Sequence, residues 1–97
     1  MIEYLYDAIR ALSGHDITVT ALVADEEGVA ITENCHIMLF NPDKELIGTY
    51  EGVYKAEGEW DFTIPAEITE GLHGRYWYCI CQHNNSLCFK QPIYLYV

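Results

Sequence analysis

Hydrophobic and polar residues alternate with a period of two along most of the chain, the pattern of strands that bury one face. Residues Trp60, Phe62 and Ile64, for example, alternate with Asp61 and Thr63 before a proline interrupts the pattern. Turn residues separate the alternating runs, as at the acidic turn that closes on Gly28. The segment 66–73 predicts a corner with one helical turn. The alternation predicts strands at 17–23, 31–40, 46–50, 53–56, 60–64, 75–83 and 86–96, with a first strand around Ile2, Tyr4 and Tyr6.

Such a series of seven or eight short strands indicates an all-β antiparallel sandwich that forms a single domain over residues 1–97. The beginning of the chain has two interpretations. Tyrosine content and a short run up to Gly14 favour a strand. The alternative is a short helix within 4–12, which would place Leu5, Ala8, Ile9 and Leu12 on one face.

The last two strands predict a hairpin that is apolar on both faces. A turn at Asn84 and Asn85 sets Tyr78 opposite Gln91 and Tyr76 opposite Ile93. Strands that are apolar on both faces are buried on both faces, so we expect a second subunit or a partner to cover the outer one. The alternative is that the N-terminal strand or a loop folds over it. The predicted core face carries Tyr76, Tyr78, Ile80, Leu87, Phe89, Ile93 and Leu95, and the predicted outer face carries Trp77, Cys79, Cys81, Cys88, Pro92, Tyr94 and Tyr96, with Lys90 as its charge.

Charge is distributed very unevenly along the 97 residues. The net charge is −10, and all fifteen acidic residues lie between Glu3 and Glu70. The strong negative charge opposes a phosphate backbone, so we expect no nucleic-acid binding. No run approaches the length of a membrane span, and the N-terminus lacks the pattern of a signal peptide. We therefore expect no membrane association, synthesis in a cytoplasm, and cysteines that are reduced there.

The candidate chemical groups favour structural roles over catalysis. Cys79, Cys81, His83 and Cys88 are soft metal ligands, but their strand spacing is unlike a zinc knuckle and favours cysteines that act as small hydrophobes. Cys81 and Cys88 are candidates for a cross-strand disulfide in an oxidising environment. The acidic turn before Gly28 lacks the ligand spacing of a calcium loop. No motif places a nucleophile beside a base, or a glycine-rich loop around phosphate, so the sequence argues against an enzyme and predicts no cofactor or metal.

The sequence Gly-Arg-Tyr-Trp-Tyr at 74–78 resembles the tyrosine corner of immunoglobulin-like sandwiches. The resemblance implies that the Tyr76 hydroxyl bonds to backbone upstream, while Tyr78 stands where such domains usually have their second cysteine. The stretches 16–28, 52–54 and 58–65, the last with Trp60 and Phe62, are similar to small phage domains such as the N-terminal module of baseplate upper proteins. This resemblance covers about 16–97. It implies a virion component of a phage or prophage that assembles by subunit contact and does no catalysis.

The expected function is therefore that of a non-enzymatic phage structural or adaptor protein, made in the bacterial host cytoplasm and then part of the virion. Its partners would be copies of itself, other virion proteins, or both. One alternative is an acidic, host-directed inhibitor that imitates nucleic acid. Another is a carbohydrate-binding module with an aromatic platform. The predicted interface consists of Trp77, Lys90, Pro92, Tyr94 and Tyr96, and the predicted structural residues are Trp60, Phe62 and Tyr76.

Overall fold

The computed structural model describes residues 8–82 and 89–97. Within them the chain forms eight strands and one short helix, which pack as two sheets. No helix in this described part has the length and apolar character needed to cross a membrane. The elements are β1 (Ile9–Leu12), β2 (Ile17–Leu22), β3 (Cys35–Phe40), β4 (Leu46–Glu51), β5 (Val53–Ala56), β6 (Glu59–Ile64), α1 (Ala66–Thr69), β7 (Gly74–Gln82) and β8 (Gln91–Tyr96).

The larger sheet has five strands in the order β1-β8-β7-β3-β4, and the smaller has three in the order β2-β6-β5. All neighbouring strands are antiparallel except β1, which runs parallel to β8. The predicted all-β sandwich is confirmed. Its topology places β7 at the centre of the larger sheet, between β3 and β8.

Most strands lie where the alternation predicts them, and the differences occur at their ends. The third strand begins at Cys35 instead of Ile31, because the chain passes through a left-handed conformation at Asn34 (φ 61°) that a strand cannot continue. Residues 9–12 of the ambiguous N-terminal stretch form a strand. The strand predicted around Ile2 and the turn predicted at Asn84 and Asn85 lie outside the described residues.

The hairpin register predicted for the last two strands agrees with the structure where both strands are described. Tyr76 pairs with Ile93, and Tyr78 pairs with Gln91. The placement of Phe89 on the core face was wrong, because β8 begins only at Gln91 and the Phe89 side chain is 61% exposed.

The main core fills the space between the sheets. Trp60 and Phe62 lie within it, their rings stacked with centroids 6.1 Å apart. The indole nitrogen of Trp60 donates a 2.7 Å hydrogen bond to the carbonyl oxygen of Ile31, which satisfies its buried polar atom. Apolar residues from both sheets complete this core, among them Ile17, Ala21, Ile37, Leu39, Ile64, Tyr78, Ile80, Ile93 and Leu95.

Hydrogen bonds fasten the corner between β6 and β7 to the turn between β1 and β2. The hydroxyl of Thr69, which is fully buried, accepts from the Gly14 amide at 3.1 Å and donates to the Ala66 carbonyl at 3.3 Å. Asp16 accepts from the Ala66 amide at 2.8 Å, and the Ser13 hydroxyl donates to the Leu72 carbonyl. The three bonds to Ser13, Gly14 and Asp16 join segments 50 to 59 residues apart in sequence, so they fix how the two sheets meet at this end.

Tyr76 does not carry the role implied by the tyrosine-corner resemblance. Its side chain is buried at the start of β7, but no hydrogen bond among the described residues involves its hydroxyl. The side chains of Ser13, Asp16 and Thr69 make the long-range contacts at this corner instead.

We expect Thr69→Val to lower the free energy of unfolding by about 1 to 3 kcal/mol, because the substitution keeps the shape but removes a buried hydroxyl with two partners. The free energy of unfolding of Tyr76→Phe should stay within about 0.5 kcal/mol of the wild-type value, since the Tyr76 hydroxyl makes no hydrogen bond among the described residues. Urea unfolding of the two variants checks this pair. A larger loss for Tyr76→Phe than for Thr69→Val would return the corner role to the tyrosine.

Candidate functional site

The face of the five-stranded sheet that points away from the main core, here called the outer face, is the most unusual surface of the molecule. Its side chains alternate with the core residues along each strand, and aromatic and apolar groups dominate its centre. Tyr94 is 37% exposed and Tyr96 is 49% exposed. The outer face comprises Arg10 and Leu12 on β1, Pro92, Tyr94 and Tyr96 on β8, Arg75, Trp77, Cys79 and Cys81 on β7, His36, Met38 and Phe40 on β3, and Leu46, Thr49 and Glu51 on β4.

The corresponding face of the three-stranded sheet is more polar, although it also carries the exposed Leu22 and Val53. Two cross-strand hydrogen bonds join its strands, one between the hydroxyls of Thr18 and Thr63 at 3.3 Å and one from Thr20 to Asp61 at 2.6 Å. Lys55 lies 3.5 Å from a carboxylate oxygen of both Glu59 and Asp61. This is the composition of a sheet face that remains in contact with water.

A second, smaller hydrophobic cluster lies beneath the outer face. Phe40, Cys79 and Cys81 are 7%, 2% and 4% exposed, and Met38 and Trp77 pack against them. The sulfur atoms of Cys79 and Cys81 are 4.0 Å apart. The five-stranded sheet therefore has apolar packing on both sides, and part of the face predicted to need an external cover is already enclosed within the chain.

Three cations lie over the aromatic rings of this face. The Lys44 ammonium is 4.7 Å from the ring centroid of Trp77, and the Arg75 guanidinium is 4.8 Å from it. Arg75 is also 5.9 Å from the Tyr94 ring, and the Lys90 ammonium is 4.6 Å from the Phe40 ring. Cation–π contacts at this range contribute about 0.5 to 1 kcal/mol each at exposed sites. They order long side chains that would otherwise be mobile.

The position of Lys44 follows from the turn between β3 and β4. The Asn41 side-chain oxygen accepts from the amides of Asp43 and Glu45, both at 2.9 Å, and the Lys44 amide bonds to the Asn41 carbonyl. This arrangement holds Lys44 in a left-handed conformation (φ 65°), which glycine or asparagine adopts at lower cost. A lysine at such a position indicates a benefit from its side chain, which here extends over Trp77.

The buried thiols of the described residues have no nucleophilic character. Burial, assisted by the charge of Glu51, raises the pKa of Cys35 to about 11. Burial also raises the pKa of Cys79 to about 11, against the opposing effect of Lys90. At neutral pH only about one thiol in ten thousand is then a thiolate, the form that attacks substrates and binds metals.

The other chemical predictions depend partly on residues outside the described ranges. Residues 8–82 and 89–97 contain no group of three or more His, Cys, Asp or Glu side chains arranged to hold a metal ion. His83 and Cys88, two of the four candidate zinc ligands, lie outside these ranges, as does one partner of the predicted pair Cys81 and Cys88. Cys81 is disulfide-bonded, as predicted, whereas Cys35 and Cys79 are free thiols. The predicted partner, Cys88, lies outside the described residues.

The structure brings the five predicted interface residues together on one side of the larger sheet, with Pro92 paired to Trp77. Trp77 is partly enclosed by the second cluster, whereas Tyr94 and Tyr96 are the more exposed members. Sequence reasoning missed Phe40 and Lys44, because their place on this face depends on the pairing of β3 with β7 and β4. The Asn-Pro-Asp-Lys sequence at 41–44 predicts a turn, but it does not predict which ring the Lys44 side chain will contact.

A search of solved structures finds a similar fold described as the Lin-41 filamin domain. The TM-score is 0.58 at 14% sequence identity, and the match covers 92% of this chain and 87% of that chain. No protein-family model matches the sequence, and no curated protein matches it. The similarity confirms the immunoglobulin-like sandwich, a fold that is usually non-catalytic.

The raised thiol pKa values predict a loss of stability at alkaline pH. A group whose pKa is higher in the folded state stabilises the fold below its unfolded pKa, and that contribution is lost as the pH rises through the folded value. We therefore expect the free energy of unfolding to fall between about pH 9 and 11, by up to about 3 kcal/mol for each thiol. Urea unfolding across this range, with reducing agent, measures it.

The matched controls are Cys35→Ala and Cys79→Ala, compared by the slope of stability against pH and not by absolute stability. The wild type and the two variants contain the same tyrosines, so any contribution from these residues cancels in the comparison. A smaller slope in each variant supports the assignment, whereas the same slope in wild type and variants would contradict it.

Proposed function

We propose that this chain is a non-enzymatic structural or adaptor domain that assembles with other proteins through its outer face. The observation that carries the proposal is the contrast between the two sheets. The three-stranded sheet presents hydrogen-bonded threonines and an ion-paired lysine beside two separate aliphatic residues, Leu22 and Val53. The five-stranded sheet presents exposed tyrosines, Pro92 and the partly exposed Trp77. Because a solvated sheet face is normally polar, an aromatic face of this size favours an interface.

The composition of the outer face also suits protein recognition. Tyrosine, tryptophan and arginine are enriched at interface positions that contribute most binding energy, and Tyr94, Trp77 and Arg75 are adjacent here. Leu12 and Leu46 extend the apolar area toward both edges of the sheet, at 39% and 54% exposure. The buried thiols and the usually non-catalytic fold support a binding role over a chemical one.

The more specific role, as a component of a phage or prophage particle, depends on the sequence resemblance at 16–28, 52–54 and 58–65. In that role the protein would be made in the host cytoplasm and would contact copies of itself or other virion proteins. An immunoglobulin-like sandwich with one exposed aromatic face is suited to such repeated contact. The carbohydrate alternative has less support, because the Trp77 ring already stacks against Lys44 and Arg75.

Replacing the exposed tyrosines tests the proposed surface. We expect the double variant Tyr94→Ser and Tyr96→Ser to weaken assembly by about tenfold or more while the monomer stays folded, because both rings lie largely outside the core. Size-exclusion chromatography with light scattering over a dilution series measures the assembly, and circular dichroism monitors the fold. If the protein does not self-associate, binding to candidate virion partners is the readout.

The matched control is Leu22→Ser with Val53→Ser. These two apolar residues are 69% and 66% exposed, and they lie on strands of the three-stranded sheet. The control should leave assembly unchanged. Equal losses from both double variants would mean that exposed apolar area in general, and not the outer face, determines association.

A further inference from the structure

We propose that the outer face docks the acidic surface of a second copy of this chain, so that copies associate head to tail. This inference rests on the proposed function and names the occupant of the proposed interface. The few positive charges of the chain are concentrated on this side of the molecule. Arg10, Lys44, Arg75 and Lys90, four of the five basic residues, lie on the outer face or at its rim.

These four cations are not neutralised within the described part of the molecule. Among the described residues, the ion pairs are those of Lys55, on the other sheet, with Glu59 and Asp61. None of the four outer-face cations has its charged nitrogen within 4.0 Å of a carboxylate oxygen in this part of the chain. This is unexpected in a chain with fifteen acidic residues. Arg75, Lys44 and Lys90 instead lie over aromatic rings, so their N–H groups are available to carboxylates of another molecule.

The same charges argue against a symmetric pairing of two outer faces. In an isologous dimer the same patch meets itself, so each cation cluster would face its counterpart at close range. Like charges brought together across an interface cost several kcal/mol. The carboxylates near this side are Asp43 and Glu45, which flank Lys44 on the β3–β4 turn, and Glu51 at the end of the edge strand β4. An acidic occupant therefore fits this face better than a second outer face.

The chain carries a suitable acidic surface at its opposite end. Lys44 lies on the turn after β3, and the acidic loop 25–27 comes before β3 in the chain. The two therefore lie toward opposite ends of that strand. Gly58 of the β5–β6 turn accepts a hydrogen bond from Val23, which brings Glu57 beside this loop. Asp25, Glu26, Glu27 and Glu57 are all exposed, and we call them the acidic end.

Contact between an outer face and the acidic end of the next copy would be heterologous. Such contacts repeat, and they produce a ring if the rotation closes or a filament if it does not. The molecule is elongated, 39 by 25 by 22 Å, and the cations Lys44 and Arg75 lie toward the end of β3 opposite the acidic end. The association should also depend on salt, because it joins exposed charges of opposite sign.

The first experiment measures the oligomeric state of the wild type at about 0.01 M and 1 M salt, over which the Debye length falls from roughly 30 to 3 Å. Light scattering over a dilution series, with reducing agent, should show association that is strong at low salt and weak at high salt. Arg75→Gln should raise the dissociation constant by about tenfold. Lys55→Gln, which makes the same change in net charge on the other sheet, should change it by less than about twofold.

A mixing experiment tests the head-to-tail geometry. One variant lacks two of the four outer-face cations (Lys44→Gln with Arg75→Gln), and the other lacks two of the four carboxylates of the acidic end (Glu26→Gln with Glu27→Gln). Each alone should be monomeric, because every contact needs one of each surface. The mixture should form a 1:1 dimer and nothing larger, since it offers one intact pair of surfaces.

Two outcomes would overturn the inference and leave the proposed function standing, and a third would contradict both. A wild type that is monomeric at both salt concentrations would assign the outer face to a different protein. A closed dimer that resists salt, and that Tyr94→Ser with Tyr96→Ser dissociates, would show isologous pairing of outer faces. Association that survives both the tyrosine and the charge variants would contradict the inference and the proposed function together.

Discussion

The structure depends on one strand that is buried on both faces. β7 lies at the centre of the five-stranded sheet, and its alternate residues enter two different hydrophobic clusters. Tyr78 and Ile80 pack into the main core between the sheets, whereas Cys79 and Cys81 pack into the cluster beneath the outer face. Since a slip of one residue would exchange these two sets, the register of β7 with β3 and β8 is strongly specified.

That central strand has to enter the sheet at a defined place, and the preceding corner determines where. Thr69 and Asp16 tie the corner to the β1–β2 turn, so the first strands and the last ones are joined at one end of the sandwich. β1 then completes the larger sheet by pairing in parallel with β8. The corner, the N-terminal turn and the C-terminal strand thus stabilise one another.

The cost of a sheet that is apolar on both sides is an outer face that water solvates poorly. The chain meets part of that cost by enclosing Phe40 and the cysteines and by laying cations across aromatic rings. Tyr94 and Tyr96 remain exposed, and the basic charges gathered beside them are separated from the acidic loops at the far end of β3. This division of aromatic, basic and acidic surfaces is the physical basis of the proposed assembly role.

The sequence by itself determined the all-β sandwich, most strand positions, the helical turn at the corner and the local register of Tyr76 with Ile93, because each depends on alternation or turn chemistry between near neighbours. It also identified Trp77, Tyr94 and Tyr96 as members of one face. Only the tertiary structure decided that β3 lies beside β7, which brings Phe40 and Lys44 to Trp77, and that Thr69 serves the corner in place of Tyr76. Those outcomes depend on contacts between segments thirty to sixty residues apart. A single sequence carries no periodic signal for such contacts, because the packing of the whole core determines which strands become neighbours.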